Sequence, residues 1–247
     1  MSVYRSAITR YFLFAGLFIL SACKEPETKT TATIIPVEKS PVIDSTGFFK
    51  STPEAFVPEG LVVFEKSFGD LNKDGLEDCI LIVKDTKKQN IIVDEYRGEL
   101  DRNRRGIIIL FKRDKGYELA LSNTDCFSSE NEDGGVYYAP ELAVSAEKGN
   151  LYVYYAHGRY GYWSYTFRYG NDDFELIGYD DSSNHGPVVN STTSINFLTR
   201  TKIVNENVNA EADSGEEVFE ETKTKLVSRE LLKLSGIKDF DELTLPE

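Results

Sequence analysis

Beyond residue 56, apolar residues recur in short runs that are separated by polar turns. Alternation of apolar and polar side chains within several of these runs is the period of a strand with one buried face. Arg113-Asp114-Lys115-Gly116 joins two of the runs and is typical of a hairpin turn. The predicted strands cover residues 61–68, 79–83, 107–111, 117–121, 151–155, 162–169 and 174–177.

Two segments, 110–119 and 166–176, resemble each other and suggest a repeated unit of about four strands, as in a propeller blade. The chain has room for too few such units to close a ring. We therefore expect one mainly β domain over residues 56–247, either an antiparallel sandwich or an open stack of propeller-blade-like sheets. The charged segment 93–105 predicts a loop or a short helix, and residues 229–234 predict a short C-terminal helical segment.

Residues 1–22 predict a secretory signal. Arg5 and Arg10 precede an apolar run, 11–20, that is too short to remain as a membrane-spanning helix. Leu20-Ser21-Ala22-Cys23 resembles the bacterial lipobox, in which the signal is cut before a cysteine that first receives diacylglycerol. The resemblance implies a lipoprotein whose Cys23 carries palmitate-like acyl chains and holds the chain on a membrane. The alternative is an ordinary secreted protein with an unrelated cysteine.

Residues 24–55 are rich in Thr, Pro, Lys and Glu, and with Cys23 they predict a flexible lipidated tether over 23–55. Lys24, the second residue of the mature chain, is not the Asp associated with inner-membrane retention in enteric bacteria. The outer membrane is therefore the expected location, with the protein on either its periplasmic face or the cell surface.

The chain is acidic, with a formal net charge of −13. Loss of the signal removes two arginines and no acids, which leaves 26 bases against 41 acids and a charge of −15. Such a surface excludes nucleic acid and anionic lipid as natural partners. The negative charge is explained either by solubility or by an electrostatic field that concentrates cations at the surface.

The most regular polar motif lies between the first two predicted strands. Oxygen-bearing side chains at alternate positions, Asp70, Asn72 and Asp74, can converge on one hard cation, with Gly75 at the sharp turn and Asp78 to complete the shell. Residues 70–78 therefore predict a calcium site. The alternative is a tight turn in which these side chains cap backbone amides.

The motif Asp-x-Asn-x-Asp-Gly-x-x-Asp resembles the loop of FG-GAP and related VCBS-like calcium-binding repeats, in which the closing Asp opens the next strand. The resemblance covers residues 64–84 and leaves the family of the whole chain unidentified. It implies calcium as the bound ion, with the structural task of pinning one hairpin.

Apart from Cys23, the chain has two cysteines, Cys79 and Cys126. An even number of cysteines in an oxidising compartment predicts a disulfide between them. The alternative is that Cys79, within an apolar run, is a reduced core residue. No Cys and His spacing indicates zinc.

An aromatic hairpin over residues 152–169 supplies a second candidate site. Strand alternation puts Trp163, Tyr165, Phe167 and Tyr169 on one face, which we expect to be core. The residues predicted to form a ligand-binding tip, where rings with polar edges could stack on a sugar or a peptide, are His157, Arg159, Tyr160 and Tyr162. Aromatic cross-strand packing is the alternative use.

These features predict a non-enzymatic envelope lipoprotein that binds calcium and presents a surface for glycan, peptidoglycan or another protein. Neither of the two histidines, His157 and His185, lies in a recognisable catalytic motif. The alternative function is a hydrolase of envelope or environmental polymers. It would use carboxylates from two polar loops, residues 128–135 and 180–186.

Overall fold

The structure, a computed structural model, describes residues 49–134, 137–209, 211 and 213–246, without the side chains of residues 133, 134 and 137. All of them belong to one compact unit, residues 44–247. Cys23, the predicted signal and the tether up to residue 48 lie outside the described residues. Strand β1 (Phe49–Lys50) lies within the predicted tether, 23–55, and a 3-10 turn (Pro53–Phe56) begins in it, so the described fold begins before residue 56.

The fold is mainly β, as the apolar pattern predicts. Helical structure in the described chain is limited to short 3-10 turns at Pro53–Phe56, Lys88–Asn90, Gly158–Tyr160 and Leu234–Gly236. The strands that follow β1 are β2 (Leu61–Gly69), β3 (Asp78–Asp85), β4 (Ile91–Asp94), β5 (Gly98–Asp101), β6 (Arg105–Arg113), β7 (Gly116–Phe127), β8 (Asp133–Gly134), β9 (Tyr137–Tyr138), β10 (Glu141–Glu147), β11 (Asn150–Ala156), β12 (Gly161–Gly170), β13 (Asp173–His185), β14 (Val188–Asn196), β15 (Thr201–Asn207) and β16 (Phe219–Lys225).

Two large antiparallel sheets form the body. The five-stranded sheet has the order β1-β7-β6-β3-β2, and the seven-stranded sheet is a meander from β10 to β16. Two small hairpins, β4 with β5 and β8 with β9, complete the described strands. The antiparallel stack agrees with the predicted class, whereas the charged segment 93–105 contributes to strands rather than to a loop or a helix.

The central strands of the five-stranded sheet are buried on both faces. Ile80 and Ile82 of β3 face the main core, which lies between the two large sheets. Leu81 and Val83 face a smaller cluster on the other side. Phe56, Val57, Leu61 and Tyr117 pack against that smaller cluster. The first turn of the fold therefore covers a face that would otherwise expose an apolar strand.

The seven-stranded sheet is built from hairpins with tight turns. Asn171 and Asp172, between β12 and β13, have φ angles of 51° and 58°, as a two-residue turn of the primed type requires. The similar segment 110–119 also forms a hairpin, in which Arg113 pairs with Gly116. The sequence echo therefore corresponds to two hairpins, one in each sheet.

The two large sheets meet at their edges. The Ser67 hydroxyl of β2 donates to the carbonyl of Val144 in β10 at 3.3 Å. A Cβ added to Gly69 would lie 2.6 Å from the Cβ of Ala146, so only glycine permits this approach. The loop after Gly69 is therefore attached to the junction of the sheets.

The C-terminal segment ties the sheets together. Leu176 of β13 donates its amide to the carbonyl of Leu232, and the Asn123 side chain of β7 donates to the carbonyls of Leu234 and Ile237, each at 2.8 Å. Of residues 229–234, which the sequence predicts to be helical, only Leu234 is, in the short turn Leu234–Gly236; Lys233 instead forms a β-bridge with Glu175, so this prediction is largely wrong. No helix in the described chain is long and apolar enough to cross a membrane.

Candidate functional site

The loop predicted to bind calcium connects Gly69, the last residue of β2, with Asp78, the first residue of β3. Lys73 and Gly75 have φ angles of 64° and 84°, in the left-handed region. Glycine adopts this conformation without steric penalty, whereas Lys73 does so at a cost. The sharp turn predicted at Gly75 is therefore present, and the loop closes within nine residues, 70–78.

Three of the predicted ligands hold the turn through their own side chains. Asp70 Oδ2 accepts the amide of Gly75 at 3.1 Å. Asn72 Oδ1 accepts the amide of Asp74 at 2.9 Å, and Asp74 Oδ1 accepts the amide of Leu76 at 2.9 Å. These bonds are the capping pattern of a tight polar turn, and they orient three oxygen-bearing groups around one loop.

One oxygen of the loop differs from the others. Asp70 Oδ1 is buried and has no hydrogen-bond partner among the described residues. A buried carboxylate oxygen without a donor or a cation is unfavourable, because it has lost water and gained nothing in exchange. This atom is therefore the feature of the loop that fits a bound cation.

Asp78 serves as an anchor of the loop rather than as an open ligand. Its side chain is buried; Oδ2 accepts the amides of Leu71 at 2.8 Å and Asn72 at 3.4 Å. Oδ1 accepts the amide of Lys112 from the neighbouring strand β6 at 2.9 Å. Burial raises the pKa of Asp78, against the lowering effect of these amides. Three of the roughly four acceptor positions of the carboxylate are in use.

A protein cation also contacts the loop. Arg113 Nη1 lies 2.8 Å from Asp74 Oδ2, and Arg113 Nε lies 2.9 Å from Glu118 Oε2. In the described part of the chain, no three His, Cys, Asp or Glu side chains are arranged as a metal-binding group. Asp70, Asn72 and Asp74 therefore share one turn, but the four predicted ligands are not gathered around one point.

The predicted disulfide is wrong. Cys79 and Cys126 are both free and buried. Cys79 belongs to the smaller cluster and Cys126 to the main core, on opposite faces of the five-stranded sheet. Burial raises the pKa of Cys79 to about 11 and that of Cys126 to about 12. Both thiols therefore act as small core groups, the alternative that the apolar run around Cys79 allows.

The four residues predicted to form a ligand-binding tip are divided between two places. His157, Arg159 and Tyr160 line a hollow of about 290 Å³. Tyr162 lies on the outer face of β12, where its ring stacks on that of Tyr154 with centroids 5.5 Å apart. Tyr162 therefore makes the cross-strand aromatic contact that was the alternative use, while the other three residues remain together.

The opposite face of the aromatic hairpin is only partly core. Tyr165 and Phe167 are buried in the main core, as predicted. Near the first residues of β12, the same face lines a cavity of about 590 Å³ together with neighbouring strands and the C-terminal segment. Its wall includes Tyr155, His157, Trp163, Tyr165, Tyr179 and Asp241. His157 also lines the smaller hollow, so the two spaces are neighbours.

Two polar atoms in the wall of this cavity have no partner among the described residues. They are the hydroxyl of Tyr155 and Nε2 of His157. Tyr155 is 2% exposed, and its ring stacks on that of Trp163 with centroids 5.2 Å apart. Burial, with the nearby carboxylate of Asp241, raises the pKa of Tyr155. The hydroxyl therefore remains protonated and can both donate and accept a hydrogen bond.

Two carboxylates also line the cavity, Glu132 and Asp241. Glu132 Oε1 accepts from the Ser129 hydroxyl at 2.7 Å, and Oε2 lies 3.7 Å from Arg102 Nη1. The second predicted polar loop, 180–186, is largely a strand, since β13 continues to His185. Of the two predicted loops, the first therefore supplies a carboxylate to the cavity.

Sequence reasoning missed the cavity wall for a physical reason. Alternation assigns Trp163 and Tyr165 to a buried face but cannot tell a face covered by core from one that lines a cavity. Asp241 reaches the site through the C-terminal segment, where Phe240 packs on Tyr165 with ring centroids 5.0 Å apart. The one available signal was the unusual density of rings in 152–169.

Comparison with known proteins adds no relative to this description. No family model, no curated protein and no solved structure matches the chain.

Proposed function

We propose that this chain is a lipid-anchored, non-enzymatic protein of the bacterial envelope. Its β body binds calcium at the loop 70–78 and presents a surface for glycan, peptidoglycan or another protein. The signal-like residues 1–22, the lipobox-like sequence that ends at Cys23 and the acidic balance of the chain support the envelope address. The outer membrane is the favoured membrane.

The observation that carries calcium binding is the buried Asp70 Oδ1, which has no partner in the part of the chain that the structure describes. Asn72 and Asp74 lie in the same turn and add the oxygen ligands that calcium prefers. Calcium would compete with Arg113 for Asp74, because the guanidinium already contacts one oxygen of that carboxylate. A cation with two charges at this turn would therefore release Arg113 to Glu118.

Calcium at this loop would stabilise the junction of the two sheets. The loop follows Gly69, whose Cα approaches Ala146 of β10 closely. Its far end, Asp78, is hydrogen bonded to the amide of Lys112 in β6. An ion that holds the loop would therefore fix the β2–β3 hairpin against both neighbours, which is a structural task.

The test is thermal unfolding of residues 24–247, which include the whole compact unit from residue 44 onward. The melting temperature is measured in EDTA and across a calcium titration. Calcium that binds only the native state raises it with concentration through linkage. Asp70→Asn and Asp74→Ala should abolish the rise, whereas Glu77→Gln, an exposed neighbour in the same loop, should keep it.

Arg113→Gln sharpens this test. Loss of the guanidinium removes the ion pairs with Asp74 and Glu118, so the variant should have a lower melting temperature than the parent in EDTA. Because the competitor at Asp74 is also gone, the melting temperature of the variant should rise at lower calcium concentrations than that of the parent. If calcium changed the melting temperature of neither the parent nor the variant, the loop would be only a turn capped by its own side chains.

Anchoring has its own test in cells. The parent should fractionate with membranes and carry acyl chains at residue 23, and Cys23→Ser should be released to the soluble fraction. Membrane association that survives this substitution would contradict a lipid anchor at Cys23.

Hydrolysis of envelope or environmental polymers is the second candidate function, because Glu132 and Asp241 line the same cavity. Glycoside cleavage uses one carboxyl group as an acid and a second as a base or nucleophile. The contacts of Glu132 with Ser129 and Arg102 favour a structural use of that residue. Release of reducing ends from peptidoglycan or a polysaccharide, abolished by Asp241→Asn, would favour the hydrolase.

A further inference from the structure

The cavity beside Trp163 combines three features that together fit a bound ligand. It has a volume of about 590 Å³, within the range of pockets that hold small ligands. Aromatic side chains from β11, β12 and β13 form much of its wall. The hydroxyl of Tyr155, a residue that is 2% exposed, and Nε2 of His157 belong to residues of this wall and are buried without a partner among the described residues.

We propose that this cavity binds one or two units of a neutral carbohydrate, with the rings of Trp163 and its neighbours against the sugar face and Tyr155, His157 and Asp241 on its hydroxyls. The inference rests on the proposed function of the body as a binding module, and it names the ligand class and the site. It does not depend on calcium.

Hydroxyl groups fit the unpartnered atoms best. Tyr155 offers one donor and acceptor, and His157 Nε2 accepts or donates according to its tautomer. Asp241 adds an acceptor. A sugar presents several hydroxyls around an apolar ring face, and each hydroxyl both donates and accepts. Once the side chains of Tyr155 and His157 turn toward it, such a ligand can satisfy the two buried atoms while its apolar face covers an aromatic ring with a polar edge.

The charge of the wall favours a neutral ligand. The described residues that line the cavity include Glu132 and Asp241 but neither lysine nor arginine. An anionic sugar would add a third negative charge beside these two carboxylates, and the nearby guanidinium of Arg102 already contacts Glu132 at 3.7 Å, so the wall itself offers the anion no basic side chain. A quaternary ammonium cation would suit the carboxylates and the rings, but it has no hydrogen-bonding group to offer the Tyr155 hydroxyl.

The smaller hollow extends the site. It shares His157 with the cavity and is lined by Arg159 and Tyr160. A second sugar unit that leaves the cavity past His157 would therefore meet these two side chains. Disaccharides should bind more tightly than their monosaccharide units for this reason.

Trp163 provides the readout, since it is the chain's single tryptophan and lies in the cavity wall. Residues 24–247 are titrated, in calcium, with glucose, galactose, N-acetylglucosamine, maltose, cellobiose and chitobiose while the emission of Trp163 is followed. Glucuronate and tetramethylammonium serve as the charged comparisons. A saturable change with at least one neutral sugar, and a weaker one with glucuronate than with glucose, is the expected result.

Variants test the geometry. Tyr155→Phe removes one hydroxyl and should weaken sugar binding about tenfold. Asp241→Asn should weaken it as well. Tyr154→Phe, the matched control, removes a hydroxyl from the opposite face of the same strand and should leave the affinity unchanged. Equal affinities in the parent and in both cavity variants would overturn the assignment of this site.

The inference is also overturned if no neutral sugar in the panel changes the emission, or if tetramethylammonium alone binds. Either failure can be told from failure of the calcium proposal, which is measured by melting without sugar. Sugar binding in a protein that ignores calcium would leave this inference standing. A calcium response without sugar binding would leave the proposed envelope protein standing, with another ligand.

Discussion

Asp78 and Tyr155 are both buried polar side chains, one in each large sheet, and their surroundings differ. Asp78 is 0% exposed and accepts three backbone amides. Tyr155 is 2% exposed, and its hydroxyl has no partner among the described residues. Since buried polar groups in proteins are nearly always paired, the two residues mark regions with different tasks.

The five-stranded sheet supports the fold. Its central strands are apolar on both faces, and its polar loop is held by side-chain to backbone hydrogen bonds. The seven-stranded sheet leaves a cavity beside its aromatic face, and two residues of the cavity wall carry polar atoms without a partner among the described residues. A satisfied buried polar group such as Asp78 thus supports the fold, whereas the buried atoms at Asp70 and Tyr155, unpartnered among the described residues, are where we propose ligands.

The largest contrast we expect is in thiol reactivity. Cys79 and Cys126 are buried on opposite faces of the five-stranded sheet, so neither thiol reacts without opening of the core. In residues 24–247 without reductant, labelling with a thiol reagent should be at least about a thousandfold slower in buffer than in denaturant, given ordinary domain stability. Two thiols should then react per denatured chain. If no thiol reacted in the denatured chain, Cys79 and Cys126 would be joined in a disulfide after all.

Removal of the Asp78 carboxylate should strongly destabilise the protein. Asp78→Ala leaves the amides of Leu71, Asn72 and Lys112 without their acceptor. At about 1–3 kcal/mol for each buried unsatisfied group, we expect a loss of about 3 kcal/mol or more in the free energy of unfolding. Urea denaturation measures it, with exposed Glu77→Ala as the neutral neighbour. A loss equal to that of the control would show that the anchor is dispensable.

Alkaline pH should weaken the region around the cavity. Burial, with Asp241 and Asp181 nearby, raises the pKa of Tyr165 to about 12, against about 10 in an unfolded chain. Between these values the folded chain binds more protons than the unfolded chain, so the free energy of unfolding falls as pH rises. Urea denaturation from about pH 9 to pH 12 should show this slope, and Tyr165→Phe should reduce it. An identical slope in the variant would contradict the assignment to Tyr165.

Much of the fold follows from the sequence because local periodicity specifies strands. The apolar run that contains Ile80 and the alternating run that contains Phe167 both form the strands they predict. Residues 93–105 were not predicted as strands, because their charges conceal a hairpin whose turn is capped by Asp94 through the amides of Tyr96 and Arg97. The close approach of β2 to β10 depends on Gly69, whose neighbour Ala146 is far along the chain.

The candidate site was less accessible to sequence reasoning. The turn at Gly75 and its capping side chains follow from a local motif. The use of Asp78 as an anchor depends on the amide of Lys112, which arrives from another strand. The cavity depends on Asp241, brought to Tyr155 by the C-terminal segment. Local patterns therefore predict the loop, whereas contacts between distant segments determine which polar atoms are satisfied.

The smallest expected effect gives the most direct test of this contrast. It is the free energy of unfolding of Tyr155→Phe, measured by urea denaturation beside Tyr179→Phe, whose hydroxyl donates to Asp181 at 3.2 Å. Because the Tyr155 hydroxyl has no partner among the described residues, its removal should leave stability unchanged or raise it by up to about 1 kcal/mol, whereas Tyr179→Phe should lose about 1 kcal/mol. A loss in Tyr155→Phe as large as that in Tyr179→Phe would mean that the chain itself uses this hydroxyl, and would contradict its assignment to a ligand.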